Sequence, residues 1–107
     1  MAGLLKHFDD TNFTTEIAQG VTLVDCYADW CGPCRMMTPI IEKFANAMMG
    51  KVVVAKLDVD KSQKTAQALQ VTSIPTLILF KNGQEIKRIV GLKDFDSLTT
   101  IINSALT

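Results

Sequence analysis

The sequence predicts an α/β fold in which helices cover both faces of one mixed sheet. Residues 21–28 are nearly continuously apolar apart from Asp25, which is typical of a strand buried on both faces, and residues 52–59 are predicted to form a second central strand. The pair Asn82-Gly83 separates two further strand-like stretches and favours the two-residue turn of an antiparallel hairpin. Apolar residues after Cys31 and near the C-terminus recur at the spacing of buried helix faces.

Turn signals divide the chain into elements in the order β-α-β-α-β-α-β-β-α. An edge strand at residues 4–8 precedes a helix that we expect Asp9 or Asp10 to cap and that ends near Gln19. Pro39 falls inside the second helix and should remove one of its hydrogen bonds. The later elements are a strand at 21–28, a helix between Cys31 and Gly50, a strand at 52–59, a helix at 62–69, strands at 76–80 and 85–90, and a helix bearing Phe95, Leu98, Ile101, Ile102 and Ala105.

We therefore expect a five-stranded sheet, with central parallel strands and a C-terminal antiparallel hairpin, flanked by four helices on both faces. The chain has 107 residues, which is enough for one hydrophobic core and too few for two, so residues 1–107 are predicted to form a single domain.

Composition argues against several classes of function. Hydrophobic residues make up 48% of the chain and charged residues 21%, and the formal net charge is zero, with no basic excess for a nucleic acid or a membrane surface. No apolar run approaches the roughly 20 residues that cross a bilayer. The N-terminus also lacks the features of a signal peptide, so we expect a cytoplasmic protein. We expect it to be a monomer as well. Cysteines are rarely structural disulfides in that compartment.

The chemistry-bearing residues lie together in the run Trp30-Cys31-Gly32-Pro33-Cys34, between a strand and a helix. A helix N-terminus carries unpaired N–H groups and a partial positive charge, which favour a thiolate over a thiol. We therefore expect Cys31 to be the attacking nucleophile, with Cys34 one helical turn later and within reach of its sulfur. Proline suits the first helical turn, and Gly32 leaves the approach to Cys31 free of a side chain.

The run WCGPC resembles the active site of the thioredoxin family residue for residue, and a C-x-x-C pair beside a βαβ pattern is a known signature of that fold. The resemblance covers essentially the whole chain. It includes VDCYADWCGPCRMMTP, KLDVD, SIPTL at residues 73–77, the KNG turn and Val90-Gly91, all at the family's spacings.

The resemblance implies a thioredoxin fold and a general protein-disulfide reductase. Cys31 would attack a disulfide of a partner protein, Cys34 would resolve the mixed disulfide, and a thioredoxin reductase would reduce the resulting pair. Asp25 matches the family's buried carboxylate, which assists proton transfer to and from Cys34, and Lys56 matches the lysine near it. No cofactor is implied beyond the redox-active disulfide.

The family also has a flat apolar surface that receives the partner protein. Pro75 matches a cis-proline whose loop faces the two cysteines and docks substrate backbone beside Ile74. The positions that match this surface are Trp30, Gly32, Pro33, Ile74, Pro75, Val90 and Gly91.

Some alternatives stay open at this point. A zinc site would need two more ligands, for which Cys26 and His7 are the candidates. An oxidase or isomerase of the same fold would have a more oxidising reduction potential, although Gly-Pro between the cysteines is the dipeptide of the reducing members. A docking subunit would keep its function without Cys31 and Cys34. Asp25 could be a merely structural carboxylate, and Lys56 an ordinary strand lysine that pairs with an acid.

The chain departs from the family pattern at a few positions. Cys26 stands where an aromatic residue is common, and we expect it to pack as a small hydrophobe on the sheet face opposite Asp25. Tyr27 replaces a frequent tryptophan, Thr72-Ser73 lacks an arginine, and Leu92 replaces a small residue. These differences bear on the choice of partner more than on the chemistry.

Overall fold

The apolar stretches form the strands of one sheet in the computed structural model, which describes residues 5–107. The elements are β1 (Leu5–Phe8), α1 (Phe13–Ile17), β2 (Val21–Tyr27), α2 (Gly32–Ala47), β3 (Val53–Asp58), α3 (Gln63–Ala68), β4 (Thr76–Lys81), β5 (Gln84–Val90) and α4 (Phe95–Leu106). The predicted order of elements is confirmed, and the strand bounds differ from the prediction by at most one residue. Leu4, the first residue of the predicted edge strand, lies outside the described residues.

The sheet has the strand order β1-β3-β2-β4-β5. Strands β1, β3 and β2 are parallel, whereas β4 runs antiparallel to both β2 and β5. The mixed five-stranded sheet with four helices confirms the predicted fold class. Strand β2 is the central strand and is parallel to β3 and antiparallel to β4. The segment that follows its C-terminal end therefore lies at the middle of one end of the sheet.

Each face of the sheet has its own hydrophobic layer. Residues of α2 and α4 cover one face, which includes Leu23 of β2, and residues of β1 and α1 contribute to the layer on the other face, which includes Val24 and Cys26. The first layer includes Leu23, Met37, Ile41, Phe44, Leu77, Leu79, Leu98 and Ile102. The second includes Phe8, Phe13, Ile17, Val24, Cys26, Ala55, Leu57, Ile78 and Phe80. Side chains alternate along a strand, so Asp25 shares its face with Leu23 and lies beneath α2.

The β4–β5 hairpin forms at the predicted turn. Asn82 has φ 51° and Gly83 has φ 85°, and positive φ at both central residues defines the turn type that matches the twist of a hairpin. The Asn82 side chain also accepts a hydrogen bond from the backbone N–H of Gly20, at 2.9 Å. The turn is thereby tied to the segment that leads into β2.

The predicted start of the first helix was wrong. Helix α1 begins at Phe13 rather than after Asp9 or Asp10, and its N-cap is Asn12. The Asp9 carboxylate instead accepts hydrogen bonds from the N–H groups of Thr11 and Asn12, which closes a tight turn before the helix. The Asp10 carboxylate accepts from the N–H and hydroxyl groups of Thr65, at 2.8 and 2.7 Å. Both carboxylates are therefore already occupied. The buried positions Phe13 and Ile17 are as predicted.

The burial of Cys26 yields a prediction on stability. Its side chain is fully buried, and it is not part of a disulfide. Cys26→Ser should lower the free energy of unfolding by about 2 kcal/mol, because a hydroxyl group would be buried among apolar neighbours. Cys26→Ala, which removes the sulfur without adding a polar group, should cost about half as much. Urea unfolding measures both, and a serine variant at least as stable as the alanine variant would contradict the packing role.

Candidate active site

Cys31 and Cys34 lie where β2 has ended and α2 begins, and they form a disulfide with a Cα–Cα separation of 5.2 Å. Cys31 is the N-cap of α2 in an extended conformation, and its sulfur accepts a hydrogen bond from the N–H of Cys34 at 3.2 Å. Pro33 lies in the first turn, where its missing N–H has no helical partner to lose. The sulfur of Cys31 therefore lies against the positive end of a 16-residue helix, which stabilises negative charge there.

A second loop lies over the cysteines from the start of β4. The peptide bond between Ile74 and Pro75 is cis, and the carbonyl oxygen of Ile74 is 3.9 Å from the Cys31 sulfur. The backbone N–H of Gly91 donates to the carbonyl of Pro75 at 2.9 Å, which fastens this loop to the end of β5. Gly91 has φ +95°, a conformation that residues with a Cβ rarely adopt. The positive φ therefore explains why a glycine stands at this position.

Asp25 is the buried ionisable group beneath the disulfide. Its side chain is 0% exposed, and neither carboxylate oxygen has a hydrogen-bond partner among residues 5–107. Burial raises the pKa of the Asp25 carboxyl group to about 7, although the positive charge of Lys56 opposes that rise. A carboxyl group with such a pKa can both accept and donate a proton near neutral pH.

Lys56 lies directly beside Asp25 in the pairing of β2 with β3. Its ammonium group does not hydrogen-bond to the carboxylate but donates to the hydroxyl of Thr38 at 3.0 Å, and it lies 4.3 Å from the centre of the Tyr27 ring. A small cavity of about 80 Å³ adjoins the lysine and is lined by Tyr27, Ala28, Asp29, Cys34, Arg35, Thr38 and Lys56. Cys34, the resolving cysteine expected from the sequence, therefore lines the same cavity as the lysine.

An apolar surface surrounds the disulfide on the outside. Trp30 is 70% exposed, and its indole N–H donates to the Asp60 carboxylate at 2.8 Å, so the ring is held in place although it is solvent-accessible. Val90 is 55% exposed and Leu92 is 39% exposed. Gly32, Pro33, Ile74 and Gly91 are at least partly exposed. Pro75, by contrast, is buried and contributes to this surface through the shape of its loop.

Some neighbours of the site have no signal in the sequence. The Trp30–Asp60 bond joins residues 30 positions apart, and the Lys56–Thr38 bond joins residues 18 positions apart. In the sequence, Asp60 and Thr38 look like ordinary polar surface positions, because side-chain pairs between distant elements leave no periodicity. Asp25 and Lys56 lie side by side because of the register between β2 and β3. Both strands are predicted from the sequence, but their register is known only from the structure.

The candidate zinc ligands do not converge. Cys26 faces the sheet side opposite Asp25, and His7 is exposed on β1 at the sheet edge. Within residues 5–107 no cluster of three or more His, Cys, Asp or Glu side chains could hold a metal ion. No helix of the described chain is both long and apolar enough to cross a membrane.

A redox-active cysteine pair at a helix N-terminus, beside a cis-proline loop on an α/β sheet, defines a thiol-disulfide oxidoreductase. A family model described as thioredoxin matches residues 4–104. The thioredoxin of Chlamydia pneumoniae is 50% identical over 100 residues, which cover 94% of this chain and 97% of that protein. The chain belongs to the thioredoxin family.

Other relatives agree with this assignment. The thioredoxin of Chlamydia muridarum is 53% identical over 92 residues, covering 86% of this chain and 89% of that protein. The thioredoxin of Staphylococcus aureus strain Mu50 is 42% identical over 97 residues, covering 91% and 93%. The similarity therefore extends over most of this chain and most of each relative.

The raised pKa of Asp25 predicts how stability depends on pH. The carboxyl group binds its proton more tightly in the folded chain, with a pKa of about 7, than at its ordinary value of 3.8. The folded state is therefore favoured most by this group below pH 3.8, and that advantage is lost as the pH rises to about 7. Asp25→Asn cannot ionise, so it should be more stable than the native chain by about 3–4 kcal/mol at pH 8.

Urea unfolding of the disulfide form between pH 4 and pH 9 measures this effect. The stability difference between Asp25→Asn and the native chain should be largest at pH 8 and shrink towards pH 4. A difference that is the same at every pH would show that Asp25 is not ionised at a cost in the folded protein.

Proposed function

We propose that the chain is a general protein-disulfide reductase in which Cys31 attacks and Cys34 resolves. The observation that carries this proposal is the position of Cys31 as the N-cap of α2, with its sulfur on the N–H of Cys34. After reduction of the pair, the same N–H and the helix dipole would stabilise the Cys31 thiolate. Cys34 is the more buried of the two, at 2% against 5% exposure, and it lies towards Lys56 rather than towards the partner surface.

The first step is attack of the Cys31 thiolate on one sulfur of a substrate disulfide. The substrate S–S bond breaks, a mixed disulfide forms, and the other substrate sulfur leaves as a thiolate that takes a proton from solvent. The second step needs the Cys34 thiolate. Ionised Asp25 accepts the Cys34 proton, and the thiolate then attacks the Cys31 sulfur. The bond between Cys31 and the substrate breaks, the second substrate sulfur leaves as a thiolate that takes a proton from solvent, and Asp25 returns its proton to solvent. The substrate gains two electrons, and the Cys31–Cys34 disulfide is the oxidised product.

Membership of the thioredoxin family supports the remaining steps of the cycle. A thioredoxin reductase would return two electrons to the disulfide, and disulfide-containing proteins would be the substrates. No cofactor is needed besides the cysteine pair. The whole chain would act as one domain and as a monomer in the cytoplasm, without nucleic acid or membrane partners. The relatives that support these roles carry the name thioredoxin.

Trapping experiments test the division of labour between the cysteines. Reduction of insulin disulfides by dithiothreitol should be accelerated by the native chain, whereas Cys31→Ser should lose this acceleration because no attacking thiolate is left. Cys34→Ser should form mixed disulfides through Cys31 and accumulate them, since no thiol resolves them. Non-reducing gels show the adducts. Adducts that form through Cys34 in a Cys31→Ser variant would reverse the proposed roles.

We further propose that the surface around the disulfide receives substrate through apolar contact. Val90 lies on this surface, and Val90→Asp should raise the KM for insulin about tenfold, because a charge would have to be desolvated on docking. Ile86 is exposed on the same strand but four residues away, so Ile86→Asp is a matched control that should leave KM unchanged. Equal effects of both substitutions would argue against a specific docking surface.

A further inference from the structure

The ammonium group of Lys56 is held by groups other than its charged neighbour. It donates a hydrogen bond to the Thr38 hydroxyl at 3.0 Å and lies 4.3 Å from the centre of the Tyr27 ring. Asp25, its pairing partner on β2, keeps both oxygens without a hydrogen bond among the described residues. A buried carboxylate beside a lysine would ordinarily attract the ammonium group directly. The contacts of the ammonium group with Thr38 and Tyr27 therefore take the place of a direct ion pair with Asp25.

The orientation of the Thr38 hydroxyl explains how the lysine is held. This hydroxyl donates its single hydrogen, at 3.3 Å, to the carbonyl oxygen of Cys34, the residue one helical turn earlier. Its lone pairs then face away from the helix backbone, and they are free to accept from Lys56. Helix α2 thus presents the Thr38 hydroxyl oxygen to the ammonium group as a fixed acceptor. The carbonyl that fixes this hydroxyl belongs to Cys34, the proposed resolving cysteine.

We propose that Thr38 is a positioning residue, which holds the Lys56 ammonium group apart from the Asp25 carboxylate. The inference builds on the proposed function, because it concerns the group to which that function assigns proton transfer. Without the Thr38 hydroxyl, the acceptor left for Lys56 is its neighbour across the strands, Asp25, whose buried oxygens have no partner in the described chain. The lysine would then move onto the carboxylate and form a hydrogen-bonded ion pair.

Other charged groups near Asp25 do not replace Lys56 in this role. On β3 the next residue of the same face is Asp58, whose carboxylate accepts from the N–H groups of Asp60 and Lys61. On α2 the nearby groups are Cys34, in the disulfide, and Arg35, whose guanidinium donates to the carbonyl of Asp29. On β4 the residue opposite Asp25 is the apolar Leu77.

The Tyr27 hydroxyl titrates at a pKa that burial raises further, so it stays neutral at the pH values considered. Among the described residues, Lys56 is accordingly the charged group that acts on the pKa of Asp25, in opposition to burial.

The test replaces Thr38 by valine, which has the same shape without the hydroxyl. Carboxyl-carbon NMR of the disulfide form measures the pKa of Asp25 directly, because Cys31 and Cys34 carry no thiol in that form. Thr38→Val should lower this pKa by about one pH unit, because the freed ammonium group pairs with the carboxylate. Thr38→Ser retains the hydroxyl and should restore the native pKa. Thr99→Val removes another buried helix hydroxyl, on α4, and should leave the pKa unchanged.

The same substitution in a Lys56→Met background separates positioning from a general effect on the helix. There Thr38→Val should no longer move the pKa of Asp25, since no ammonium group remains to be released. An unchanged or raised pKa in the single variant would overturn the proposal. So would an equal downward shift in the Lys56→Met background, because it would show that Thr38 acts on Asp25 without the lysine.

Turnover of insulin against pH distinguishes this inference from the proposed function. If the acid limb of the profile moves down with the pKa of Asp25 in Thr38→Val, both are supported. If the NMR pKa falls and the profile does not move, Thr38 still positions Lys56, but Asp25 is not the proton acceptor for Cys34. The positioning role and the proton-transfer role thus fail through different observations.

Discussion

The carboxyl group of Asp25 is buried in the central strand, and neither of its oxygens has a hydrogen-bond partner among residues 5–107. Much of the surrounding arrangement depends on that fact. An isolated charge in such a place is costly, so the group protonates more readily and its pKa rises to about 7. The cost is tolerable because two separate hydrophobic layers stabilise the sheet from both faces.

The sheet also separates chemistry from packing. Asp25 and Lys56 project to the face that α2 covers, and α2 begins with the cysteine pair. Cys26, one residue further along β2, projects to the opposite face into an apolar layer, where burial raises the pKa of its thiol to about 12. The third cysteine is thereby kept as a neutral thiol without contact with the pair. The alternation of a single strand thus keeps two kinds of cysteine apart in one small protein.

Much of this arrangement can be predicted from the sequence, because its signals are local. Continuous apolar runs predict buried strands, Asn82-Gly83 predicts the hairpin turn, and Cys31 next to Gly32-Pro33 predicts a helix start. The start of α1 was not predictable in the same way. Asp9 and Asp10 resemble N-caps in sequence, but Asp10 bonds to Thr65, which is 55 residues away. Contacts of that kind exist only after the chain has folded.

The side-chain partners in the site lie beyond sequence reasoning for the same reason. Lys56 can be placed near Asp25 by family resemblance, yet its ammonium group bonds to Thr38 on α2. This detail matters for the chemistry. A direct ion pair would stabilise the carboxylate and keep it charged through the neutral range, and it would make Asp25 a weaker base for the proton transfer that we propose from Cys34.

A lysine held at a distance lowers the cost of the buried charge only in part. The carboxyl group then remains able to change its protonation state near pH 7. Protein stability at neutral pH is lower as a consequence, which is the opposite of what packing alone would select. The position of one hydroxyl group on α2 thus sets the balance between the stability of β2 and the basicity of its carboxylate.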